Sequence, residues 1–106
     1  VLGEGSVQYA VASFWTAVAY EVPVTFIVLR NEEYAILKWF AEVEQVSGSP
    51  GLDLPALESA EIAAGYGVTS VKAATSDEVQ AALREAIADP APRLVEVPVQ
   101  PGMSLF

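Results

Sequence analysis

Val24-Thr25-Phe26-Ile27-Val28-Leu29 is a continuous apolar run of strand length, and no other feature constrains the fold as much. A strand without polar alternation is covered on both faces, as in parallel sheets whose crossover helices lie on both sides. The flanking segments agree. Ahead of the run, Val7, Val11, Phe14, Trp15 and Val18 recur at helical spacing, with Ala10, Ala17 and Ala19 opposite, so both sides read as buried. Ser6 is placed to cap this helix. Behind the run, Tyr34 to Val46 reads as a helix whose apolar cover exceeds one stripe, and Ser47 to Pro55, rich in Gly and Pro, as a loop. Ala56 to Ala64 is expected as a short helix closed by Gly65, and Val68 to Ala73 as a strand. Thr75-Ser76-Asp77-Glu78 fits a capping box for a helix carrying Val79, Leu83, Ala86 and Ile87 and ending at Asp89-Pro90. Arg93 to Val99 is the last strand, with Pro98 marking an edge. With a strand end at Val1-Leu2, this order implies an α/β fold, a three-layer sandwich with a mainly parallel sheet.

The 106 residues fit one domain, expected over 1–99 with a loose tail over 100–106. Fourteen acidic against five basic side chains give a net charge of −9, and with no basic cluster the chain has nothing to neutralise phosphates, so nucleic acid is excluded as a partner. An anionic membrane surface is disfavoured for the same reason. The absence of Cys and His removes thiolate and imidazole metal sites and an imidazole base. The longest apolar stretch, Val7 to Leu29, is broken by Gln8, Glu21 and Pro23 and falls short of the roughly 18 clean residues of a membrane span. The first residues do not follow a secretory pattern, and a soluble cytoplasmic protein is expected. A hydrophobic fraction of 53% and a mean hydropathy of +0.39 are high for so small a domain, so some apolar surface is expected to meet a partner. The opening on Val1-Leu2, a strand end without a beginning, reads as part of a longer chain.

Ligands of open α/β sheets bind beyond the carboxyl ends of strands. Two loops leave such ends, Gly3-Glu4-Gly5-Ser6 and Asn31-Glu32-Glu33. The glycines let backbone N–H groups approach a ligand, and a helix start after Ser6 offers a positive dipole end to a phosphate. Glu4 would repel that phosphate unless a cation lies between them. With the Asn31 side-chain oxygen and loop carbonyls as further hard donors, Mg²⁺ suits the place. The same residues also fit an ordinary turn, since Glu near a helix start and Asn at a strand end need no metal. The dinucleotide fingerprint fails because Gln8 stands where its third glycine belongs, and no Gly-Lys-Ser or Gly-Lys-Thr occurs.

Gly3-Glu4-Gly5-Ser6, then a helix, a strand and Arg30-Asn31-Glu32-Glu33-Tyr34, resembles the thiamine diphosphate motif, usually Gly-Asp-Gly followed by Asn-Asn. The stretches Tyr34-Ala35-Ile36-Leu37-Lys38-Trp39-Phe40-Ala41, Pro50-Gly51-Leu52-Asp53-Leu54-Pro55, Gly65-Tyr66-Gly67-Val68 and Leu94-Val95-Glu96-Val97 resemble the benzoylformate decarboxylase family of thiamine diphosphate-dependent 2-oxo acid decarboxylases. The resemblance covers nearly all of 1–99. It implies that Glu4, Asn31 and the carbonyl of Glu33 ligate Mg²⁺, that Gly3, Gly5, Ser6 and Tyr34 hold the cofactor diphosphate, and that Ile36, Leu37 and Phe40 line the substrate pocket. Those three also fit plain helix core. Glu4 in place of Asp and Arg30 in place of the first Asn depart from the motif. Trp15 and Trp39 read as packing anchors, and Arg30, Lys38, Glu32, Asp53 and Glu58 as solvated or interfacial.

Enzymes of this family have three domains, with the cofactor between the diphosphate domain of one subunit and the pyrimidine domain of another. The resemblance therefore implies upstream domains, a homo-oligomer (dimer or tetramer), a small 2-oxo acid such as benzoylformate as substrate, and no catalytic residue in this stretch, which alone would be inactive. An acetolactate synthase-like carboligase and a non-catalytic α/β interaction module are the other readings.

Overall fold

In the computed structural model, which describes residues 1–103, the apolar run becomes β2 (Thr25–Arg30), and β1 (Leu2–Gly3), β3 (Thr69–Lys72) and β4 (Arg93–Pro98) complete one sheet. All pairings are parallel and the order is β1-β2-β4-β3. The helices are α1 (Glu4–Val7), α2 (Ser13–Ala19), α3 (Ala35–Val43), α4 (Ser59–Gly65) and α5 (Ser76–Ala88). No described helix is long and apolar enough to cross a membrane.

Strand alternation sorts the core. Phe26, Val28 and Leu94 face α1, α2 and α4 and pack with Val7, Phe14, Ala60, Ala63 and Val68. Phe14 is 1% exposed and meets Phe26 edge to face at 5.1 Å. Burying a ring this completely contributes roughly 1.5–3 kcal/mol. On the opposite face α5 lies over Val71 and Val95, with a cleft of about 450 Å³ between helix and strands. The turn back from β3 to β4 reverses the direction of progress across the sheet, which sends α5 to the other side when every crossover keeps the usual hand. Its capping box forms as expected, Thr75 Oγ1 accepting from Glu78 N and Glu78 Oε2 from Thr75 N.

Several local expectations change. The helix expected after Ser6 starts at Glu4, with Gly3 as N-cap and no side-chain cap, so Ser6 caps nothing. It is also broken: one α-helical turn passes through a 3₁₀ turn at Gln8–Ala10 before α2 begins. The aligned dipole at its start is correspondingly short. Only one side of this segment is dry, since Ala10, Ala19 and Trp15 are exposed, and among the described residues Trp15 meets one aromatic ring, Tyr20, at 6.4 Å. It is not a packing anchor. Pro98 does not mark an edge strand, because β4 lies between β2 and β3. Its register explains the tolerance: β3 ends at Lys72 opposite Glu96, so at Pro98 only β2 flanks the strand. The helix expected from Ala56 begins at Ser59, after a left-handed Ala56 (φ 57). Of the expected tail, Gly102 N–H donates to Glu33 Oε1, and residues 104–106 lie outside the described residues.

Candidate functional site

The parallel register Leu2↔Val28 and Gly3↔Leu29 brings the ends of β1 and β2 out side by side. Glu4 thereby meets the Asn31–Glu33 loop. Its side chain is 1% exposed, and its Oε1 accepts the backbone N–H groups of Asn31 at 3.1 Å and Glu32 at 2.5 Å. Glu32 reaches this geometry in the left-handed region, φ 61. Asn31 Oδ1 takes a long contact from Glu33 N at 3.4 Å.

A brace from the Gly/Pro-rich loop supports this backbone. Leu54 N–H donates to Glu32 O at 2.8 Å and Tyr34 N–H to Leu52 O at 2.9 Å, either side of an antiparallel bridge Glu33↔Asp53. Sequence reading missed the brace. The signal was Leu52-Asp53-Leu54, an alternating triplet held between Pro50 and Pro55.

These segments enclose a cleft of about 290 Å³ lined by Gly3, Glu4, Gly5, Ser6, Asn31, Glu33, Tyr34 and Ile36, together with Leu29, Ala35 and Val99. Every expected diphosphate and metal residue thus meets in one place. Leu37 and Phe40 do not line the cleft; they stand 48% and 50% exposed on α3, beside an exposed Val43. Gly5 is required here, because a Cβ would collide with the Tyr34 ring. Gly3 has open space around it and is not forced by contact. The larger cleft under α5 holds none of these residues, and the smaller one lies where parallel sheets place ligands.

All five of the charges expected as solvated or interfacial take part in ion pairs within the chain. Arg30 has a side chain only 17% exposed, and its guanidinium meets Glu32 at 2.8 Å, Glu58 at 3.3 Å and Glu96 at 3.4 Å. Burial works against this charge, but the three carboxylates outweigh it and the pKa is raised. Lys38 bridges Glu33 and Asp53 and rises as well, through hydrogen bonds to Asp53 and Glu33. Glu33 is lowered by Lys38 and then by the Gly102 amide. The carboxylates of Glu58, Glu61 and Glu96 come within 4.8 Å of one another, but Arg30 and Lys72 already pair with them. Glu4 differs: no ion pair reaches it among the described residues. A buried carboxylate held only by amides, beside an amide oxygen and free to offer Oε2, is the hard-oxygen donor set that Mg²⁺ favours. The residues fit the metal, and the absence of a Cβ at Gly5 lets the Tyr34 ring pack close against the cleft.

The family model described as thiamine pyrophosphate enzyme, C-terminal TPP binding domain, matches residues 1–97. Benzoylformate decarboxylase from Pseudomonas aeruginosa is 46% identical over 100 residues, covering 94% of this chain and 19% of that protein. Among solved structures, benzoylformate decarboxylase from Polynucleobacter necessarius superposes with a TM-score of 0.94 at 40% identity, over 99% of this chain and 20% of that one. The thiamine diphosphate-dependent 4-hydroxybenzoylformate decarboxylase from Rhodococcus jostii RHA1 gives 0.88 at 34% identity, again over 99% and 20%. The chain thus spans about a fifth of the length of these relatives.

Proposed function

Because the chain belongs to the thiamine pyrophosphate enzymes, as their C-terminal TPP-binding domain, we propose that its cleft holds the cofactor diphosphate through Mg²⁺ within a longer 2-oxo acid decarboxylase. The observation that carries this reading is the buried, cation-free carboxylate of Glu4, bound to the loop that bears Asn31. Glu4 Oε2, Asn31 Oδ1 and the Glu33 carbonyl offer oxygens to the metal. Gly3, Gly5, Ser6 and Tyr34 hold the diphosphate, with Tyr34 fixed by its packing on Gly5. The extra methylene of Glu4 relative to Asp is taken up by its reach to the Asn31 and Glu32 amides. When bound, thiamine diphosphate supplies the electron sink for loss of CO₂ from the substrate.

An aryl 2-oxo acid such as benzoylformate is the substrate class that the relatives' names support. Ile36 gives the cleft an apolar wall. The exposed stripe Ile36, Leu37, Phe40 and Val43 on α3 is where a further domain or a neighbouring subunit closes the pocket. The test is turnover of benzoylformate by the full chain, with thiamine diphosphate and Mg²⁺ added and withheld. Turnover that needs both is expected, and turnover without either sinks the reading. The 106 residues alone should give none.

A further inference from the structure

Arg30 and Glu96 meet because of the pleat. Val28 pairs with Glu96 across β2 and β4, and Arg30 stands one pleat further along β2 on the same face. Glu96 is a fixed anchor, 2% exposed, with Oε2 accepting the Ala60 N–H of α4 at 2.9 Å. Arg30 reaches from this anchor to Glu32: Nη1 contacts Glu96 Oε1 at 3.4 Å, and Nη2 contacts Glu32 Oε1 at 2.8 Å. Its main-chain carbonyl accepts Val99 N–H at 2.8 Å, so the residue is held at both ends.

Glu32 needs such a hold. A non-glycine residue in the left-handed region is disfavoured by its Cβ, and the Glu32 conformation is what turns two successive amides onto Glu4. We propose that Arg30 is a positioning residue for the metal-facing loop, gripping Glu32 from the buried Glu96 so that Asn31–Glu33 keeps the shape in which it clasps Glu4. The function of the loop rests on the proposed Mg²⁺-diphosphate site; the grip itself does not. The planar fork meets Glu96 and Glu32 from two different nitrogens, so each carboxylate is held in its own direction. Glu32 is itself 61% exposed, so the effect is modest, near the upper end for exposed ion pairs.

The test is amide hydrogen exchange in the full chain without added cofactor, comparing wild type with Glu32→Gln, which cuts the grip and leaves the Arg30–Glu96 pair in place. Glu32→Gln should speed exchange at Asn31 and Glu32 about fivefold and leave α5 unchanged. Unchanged exchange at Asn31 and Glu32 overturns the proposal, and so does acceleration spread evenly through α5, which marks general loosening. In the holoenzyme the loss should fall on cofactor KM rather than kcat. A wild type that binds no cofactor defeats the metal reading alone, since the exchange comparison still decides on the grip.

Discussion

Glu4 and Glu96 are both buried to within 2% and both accept backbone N–H groups, yet their surroundings are opposite. Glu96 serves α4, whose N-cap residue offers no side-chain cap, and it has a guanidinium beside it. Glu4 serves the Asn31–Glu33 loop and has none. Burying a charge is costly unless a partner offsets it. The first carboxylate is neutralised within the fold and belongs to its framework, whereas the second is arranged for a cation supplied from outside.

The strongest way to break this contrast is to neutralise each carboxylate in turn. Glu96→Gln keeps an acceptor for Ala60 N–H but strands Arg30, and should destabilise the chain by about 3 kcal/mol in thermal or urea unfolding. Glu58 and Glu32 remain near Arg30 and hold the loss to the lower end of that range. Glu4→Gln keeps an acceptor for both loop amides, so its unfolding midpoint should stay level or rise. Mg²⁺-dependent cofactor retention should instead fall on the order of 100-fold, about 2.7 kcal/mol, read by equilibrium dialysis. Equal stability losses in the two variants would erase the distinction.

Gly5→Ala sharpens it from the ligand side. The added methyl must displace the Tyr34 ring, at a cost of roughly 1–3 kcal/mol. Truncating Tyr34 to Ala in the same chain should relieve most of that cost, a coupling that a double-mutant cycle measures.

The smallest effect concerns a third carboxylate that accepts amides, exposed Glu78 at the start of α5, bonded to Ala74 N at 2.7 Å and Thr75 N at 3.0 Å. Those two amides lower its pKa below the ordinary 4.5. A lowered carboxylate stabilises fully above its unfolded value and loses that contribution as pH falls through the folded one. The first turn of α5 should therefore fray only below about pH 4.5, seen as faster amide exchange at Ser76–Glu78. Fraying that began near neutrality would refute the assignment.

Much of the frame was legible because it depends on local pattern. The apolar run became β2, the capping box became the start of α5, and the Gly3–Ser6 and Asn31–Tyr34 segments met in one cleft. What escaped depends on partners distant in sequence. Arg30 and Glu58 read as surface charges because nothing local shows that Glu96 lies one pleat away. The Leu52–Leu54 brace was hidden inside a Gly/Pro-rich loop. Trp15 occupied a core position of an ideal helix, but the 3₁₀ turn at Gln8–Ala10 shifts the phase of the turns after it and leaves the Trp15 ring in solvent.

The strand order carries one more consequence, for assembly in time. β2 and β3 never touch along their ladders; each pairs with β4, which comes after both in the chain. During synthesis the Phe14–Phe26 contact can form early, but the two halves of the sheet stay unjoined until Arg93–Pro98 emerges. Such late, distant pairing slows folding and leaves unpaired strand edges exposed meanwhile. A ribosome pause just before Arg93 would hold the nascent chain at its most aggregation-prone point.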